Sequence, residues 1–177
     1  MNKKYTPTAI GLHWLMFIGL AGTLGLGFYM HDLPLSPTKL QLYSWHKWAG
    51  ITLFLLALLR VVWRLTHRQP ELPPLMPELL KKAAHAMHWL LYALMLAIPL
   101  SGWLMSSAKG FTTVWFGVLP LPDLVGKDAA LGSQLQTLHM ALNFALLTLV
   151  AGHVGAALKH HFIDRDGVLT SMLPGKS

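Results

Sequence analysis

The sequence predicts an all-α integral membrane protein, a four-helix transmembrane bundle in which residues 1–177 form a single domain. Three observations predict it. Only 12% of the 177 residues are charged, against roughly 25% in soluble domains, so the chain lacks the charge to cover a water-facing surface. Hydrophobic residues reach 54% and mean hydropathy is +0.48. Three segments, residues 5–31, 83–108 and 129–158, contain no Asp, Glu, Lys or Arg over 27, 26 and 30 residues. About 20 predominantly apolar residues suffice to cross a bilayer.

The expected spans are about 8–30, 42–63, 83–106 and 134–158. The first follows Lys3 and Lys4 and resembles a signal peptide, but its apolar run exceeds the usual 7–15 residues and no small-x-small cleavage site follows. Pro34 and Pro37 end the helical pattern after it. The second span carries Lys47 and Arg60 near its ends, where long side chains reach the interface, around a charge-free centre at 48–59. Pro70, Pro73, Pro74 and Pro77 then form a stiff linker. Pro99 is expected to kink the third span. The longest connection, 107–133, carries Phe111, Trp115 and Phe116 before Pro120 and Pro122, a composition suited to the headgroup level. No repeat of 20–50 residues is evident.

Charge distribution gives the orientation. Ten cations (Lys3, Lys4, Arg60, Arg64, Arg68, Lys81, Lys82, Lys159, Arg165, Lys176) fall on one side. Four (Lys39, Lys47, Lys109, Lys127) fall on the other. With acids divided four to three, the two sides carry +6 and +1. The richer side, with both termini, is expected to be cytoplasmic. The net charge of +7 therefore needs no nucleic-acid partner to explain it. With no Cys in the chain, disulfides, iron–sulfur clusters, Cys-ligated zinc and covalently attached heme are excluded.

Ten His are present. His31, His67, His160 and His161 lie in connections or beside cations at span ends. The other six (His13, His46, His85, His88, His139, His153) lie in or near the spans, where an ionisable side chain is by default a functional candidate. The ordinary alternative for each is a neutral imidazole bonded to another helix. His139 and His153 are fourteen residues apart, about 21 Å of helix and within about 40° of four full turns. They share one face at two depths. Alternation of the spans places His13 at the depth of His153 on the inner side, and His46 at the depth of His139 on the outer side. Zinc wants three or four ligands and the spans hold no carboxylates. Two bis-His b-type hemes need only two axial ligands each and an apolar slot. Gly50, Gly152 and Gly155 lie near these His, where small residues admit either a flat ring or a neighbouring helix. Arg60 repeats the fourteen-residue offset from His46 and is a candidate for a propionate or a quinone carbonyl. His85 and His88, one turn apart at the inner side, rival the inner ligand assignment. Their preferred role is hydrogen bonding or proton transfer to a quinone.

Several motifs carry a resemblance. They are IGLHWLM around His13, SWHKWAG around His46, AHAMHWLLYALMLAIPLSG from Ala84 and LHMALNFALLTLVAGH ending at His153. VWFG in the outer loop and LKHHF after the fourth span belong with them. Over nearly its whole length the chain resembles the bacterial cytochrome b561 family of di-heme four-helix membrane cytochromes. The resemblance implies heme ligands at His13 and His153 on the inner side and at His46 and His139 on the outer side. It also implies an inner-membrane location and a role in electron transfer. Short stand-alone members resemble superoxide oxidase, which implies superoxide as a periplasmic donor and ubiquinone as acceptor, a superoxide:quinone oxidoreductase. One alternative is a cytochrome b subunit fed by a hydrogenase- or dehydrogenase-like partner. Another, from a different class, is a non-heme four-helix carrier or sensor whose His bind protons or metal.

Overall fold

The computed structural model describes residues 4–175. It is a bundle of four long helices: α1 (Pro7–His31), α2 (Pro37–Thr66), α3 (Glu78–Ala108) and α4 (Ala129–Lys159). Each is long and apolar enough to span a membrane. All run beyond the expected spans, because their capped ends continue past the most apolar residues. Thr6 accepts from Ala9 N, Ser36 from Lys39 N and Asp128 from Leu131 N, each oxygen meeting an otherwise orphaned N–H. Pro37, expected only to end a helix, begins α2 as its first residue, where its missing N–H costs nothing. The α3 helix runs on through Pro99.

α3 packs on α4, α1 on α2, and α2 on α3. The buried core is thin. Leu91, Ile98 and Leu146 form its centre, with Leu20, Leu24 and Leu142 packed around them. Most apolar side chains face outward: Ile18 is 66% exposed and Val62 56%. Such a belt is tolerable only against lipid. The protein is an all-α membrane bundle.

The outer connection is ordered. Val114–Trp115 pairs antiparallel with Leu119–Pro120. Phe116 and Gly117 both take positive φ, 51° and 73°, as a type I′ turn requires. Trp48 Nε1 donates to Val114 O, Trp103 Nε1 to Pro122 O and Trp115 Nε1 to Thr52 Oγ1. These indoles tie the hairpin to α2 and α3.

At the other end α4 passes into a π-helical turn, His160–Asp164. The following tail folds back under α1. Trp14 Nε1 donates to Met172 O at 2.9 Å, and Tyr5 N to Ser171 O at 3.2 Å.

Two expectations follow. Leu146→Ala should lower the unfolding midpoint in detergent, for a loss of about 3 kcal/mol, while Leu147→Ala, at 40% exposure on the lipid side, should leave it nearly unchanged. Trp14→Phe removes one hydrogen bond, worth about 1 kcal/mol net. Amide exchange in residues 168–173 should then speed up several-fold while exchange in α3 stays as it was.

Candidate metal centres

The spans bring five part-buried imidazoles into two layers. In the outer layer His46 of α2 faces His139 of α4, with ring centroids 6.4 Å apart. In the inner layer His13 of α1 faces His153 of α4 at 6.3 Å. His88 of α3 is closer to His153, at 5.4 Å with its ring at 75°. Two metal–nitrogen bonds of about 2.0 Å, laid end to end between imidazoles, set their centroids about 6 Å apart. The His46/His139 and His13/His153 pairs have that separation. His88 sits too near His153 for an ion midway on one axis.

An axial ligand also needs a free lone pair on Nε2, which a hydrogen bond at Nδ1 secures. His139 has it. Its Nδ1 lies 3.0 Å from Ile98 O and 2.9 Å from Ser101 Oγ. A carbonyl only accepts, so Nδ1 carries the proton. Ser101 Oγ spends its own proton on Ile98 O at 2.7 Å. His46 Nδ1 is buried without a hydrogen-bond partner, and the Thr23 carbonyl faces it without completing a bond. The spacing of the outer pair and the tautomer of His139 fit a bis-imidazole centre.

The inner layer is bonded differently. Arg60 Nη2 donates to His13 Nδ1 at 3.0 Å and Arg60 Nε to Tyr92 OH at 3.1 Å. Guanidinium has only donors, so His13 Nδ1 accepts here, and ligation through Nε2 requires Arg60 to release it. Arg60 Nη1 is buried with no hydrogen-bond partner among the described residues. The His13/His153 pair would fit a bis-imidazole centre if an anionic group took the guanidinium.

These residues border a cavity of about 1420 Å³ at the inner end, larger than the 300–1,000 Å³ of ordinary ligand pockets. His13, Arg60, His88 and His153 line its deep part; Arg64, Lys81, His85 and the tail from Asp166 line its mouth. Both His85 and His88 therefore meet the space beside the inner pair. Burial pushes the Tyr5 phenol above its ordinary value, with the Arg64 guanidinium opposing, so Tyr5 stands at this mouth as a neutral donor.

The four remaining His are occupied outside the bundle. His67 stacks on Trp63 at 3.8 Å and His31 Nδ1 meets Asp32 at 2.7 Å. His161 packs edge-on against Phe162. His160 Nδ1 donates to Asp166 at 2.6 Å, and Asp164 beside it is taken by Lys159, so that acidic group is closed on itself. At the outer face Lys47 Nζ reaches Phe111 O at 3.4 Å and Lys127 packs over Gly110. Three of the four outer cations, Lys47, Lys109 and Lys127, thus gather at the turn after α3. Lys39 bonds to the His31 and Leu33 carbonyls.

Some site residues escape a sequence reading. A Cβ on Gly27 would lie 3.1 Å from His46 Cε1, and one on Gly102 3.1 Å from His139 Cε1. Gly50 and Gly155, singled out in the sequence, have no atom within 4 Å of that position, and Gly152 meets only Met87. Ser101 and Tyr92 were also unmarked. The only available signal was a Gly at the depth of an outer His on each neighbouring helix.

The sequence profile described as Prokaryotic cytochrome b561 matches residues 4–175. The chain is 34% identical over 176 residues to Cytochrome b561 homolog 2 of Escherichia coli K12, covering 99% of this chain and 93% of that one. It is 30% identical over 175 residues to Cytochrome b561 homolog 1 of the same organism, covering 97% and 98%. It is 26% identical over 176 residues to the Probable superoxide oxidase CybB of Yersinia pestis, covering 99% of each. With four membrane helices and imidazoles paired between them, the chain belongs to the prokaryotic cytochrome b561 family, as a bacterial membrane cytochrome that binds b-type heme and transfers electrons.

Proposed function

We propose that the chain holds two b hemes, the outer between His46 and His139 and the inner between His13 and His153. It passes electrons across the inner membrane from a periplasmic donor to ubiquinone, with superoxide as the favoured donor. Both termini face the cytoplasm in this reading. The observation that carries it is the pair of imidazole couples, 6.4 and 6.3 Å between centroids, in layers about 21 Å apart along α4. When bound, the two groups supply reversible one-electron chemistry at each layer.

The chain's own residues divide the remaining work. Ile98 O and Ser101 hold His139 in the tautomer that leaves Nε2 free. Leu91, Ile98 and Leu146 keep the space between the layers dry. Lys47, Lys109 and Lys127 raise the local concentration of a small anion at the outer face. Superoxide gives up one electron there and leaves as dioxygen. At the inner end the cavity has room for a second molecule beside the prosthetic group. Arg60 offers its free Nη1 to a propionate or a quinone carbonyl. Two electrons from two superoxide anions, with two protons, convert ubiquinone to quinol. His85 and His88 are placed to pass those protons. The relative described as a probable superoxide oxidase favours this donor over a partner subunit.

The test is spectroscopic first. Purified after heme-replete expression, the protein should show Soret and α bands and about two hemes per chain. His46→Ala or His139→Ala should remove the outer heme, and His13→Ala or His153→Ala the inner one. Loss of a heme in His88→Ala with none lost in His13→Ala would reassign the inner pair. Mixed with superoxide and a ubiquinone analogue in stopped flow, the oxidised protein should be reduced fast without any partner. Slow reduction would transfer it to the partner-fed subunits.

A further inference from the structure

One register is used twice in this chain. His13 precedes Gly27 by fourteen residues on α1, and His88 precedes Gly102 by fourteen on α3. His46 precedes Arg60 by fourteen on α2, and His139 precedes His153 by fourteen on α4. The second helical hairpin thus repeats the first, displaced by 75 residues on its first helix and 93 on its second. The 18 extra residues lie in the outer connection. Contacts obey the same correspondence. His13 touches Arg60 across α1 and α2, and His88 touches His153 across α3 and α4. In the outer layer the match is closer. Gly27 and Gly102 each stand 3.1 Å, at the Cβ position, from the Cε1 of the opposing imidazole. Four residues before each Gly is a backbone group that faces the same imidazole: Thr23 for His46, and Ile98, whose carbonyl bonds Nδ1, for His139.

We infer that Gly27 and Gly102 are positioning residues for the outer heme, each a notch that lets an axial imidazole lie edge-on against the neighbouring helix. The carbonyl one turn earlier, bonded to Nδ1 of His139 and facing the His46 ring, sets the ring's orientation, and the notch fixes how close the ring comes to it. Together they aim Nε2 from opposite sides at a common centre. The carbonyl does this work with no titratable side chain, which suits a layer without carboxylates. The same seat cannot form in the inner layer, where His13 and His88 occupy the corresponding register. This inference rests on the two-heme reading and assigns the seat of one of its hemes.

A Cβ at either Gly must displace the ring by a few tenths of an ångström. Ala is a better helix former than Gly, so folding is preserved. The experiment compares Gly27→Ala and Gly102→Ala with Gly22→Ala and Gly25→Ala, whose Cβ positions meet nothing within 4 Å. Heme content, low-temperature EPR and redox titration of the purified full chain are the readouts. In both test variants the signal and midpoint of the heme that His46→Ala removes should shift, up to loss of that heme. The heme that His13→Ala removes should be unchanged, and both controls should match the parent. Ser101→Ala should move the same midpoint with two hemes retained. Unshifted EPR and midpoints in Gly27→Ala and Gly102→Ala would overturn the inference, as would equal disturbance of both hemes. A parent protein without two hemes, or with its heme retained in His46→Ala, would instead refute the two-heme reading itself.

Discussion

No water in a bilayer core answers a stray polar group, and that constraint orders this molecule. Backbone N–H and C=O groups answer one another, which makes the spans helices. Side-chain hydroxyls fold back on their own helix: Thr52 onto Trp48 O and Thr148 onto Phe144 O. Five imidazoles and one guanidinium have no such local refuge. They are confined to two layers between helices, where they meet each other, a carbonyl of the next helix, or a space shaped for a ligand. The apolar plug of Leu91, Ile98 and Leu146 between the layers is what remains when the polar groups have been sorted in this way.

The two ends answer the constraint differently. Outside, three indole N–H groups and the hairpin close the bundle, and Ser107 accepts from Leu124 N to hold the connection down. Inside, the helices splay around a large cavity, floored by a tail that a few backbone-directed bonds retain. A closed end suits a donor that leaves only an electron. An open, polar-mouthed end suits an acceptor that must enter, take up protons and depart. In the proposed reading, direction is built into the packing as well as into the electron carriers.

Depth was legible in the sequence because a helix converts residue number into height. His46 with His139, and His13 with His153, follow from alternation and 1.5 Å per residue, and the structure places these rings opposite one another. Helix ends were less legible. Ser36, Pro37 and Asp128 read as loop because they carry no apolar signal, yet Ser36 and Asp128 cap helices and Pro37 begins one. Gly27, Gly102 and Ser101 were illegible for another reason. Their importance lies in what a neighbouring helix presses against them, and hydropathy contains nothing about azimuth between helices. The doubled register was hidden by its length: the halves are displaced by 75 and 93 residues, and few residue identities survive between them.

Arg60 shows why the two layers are not copies. In the doubled register it stands where the second hairpin has His153. An imidazole there would give α2 two axial nitrogens, as α4 has. A guanidinium gives none, because it holds donors only. In the proposed reading, the inner couple then draws its second nitrogen from α1. His88, the counterpart of His13, lines the cavity beside His153. The substitution also puts a permanent cation beside the inner couple, where the outer couple has a neutral carbonyl and hydroxyl. In that reading, one residue leaves His88 free to face the cavity and supplies the positive charge that a carboxylate or a carbonyl oxygen requires.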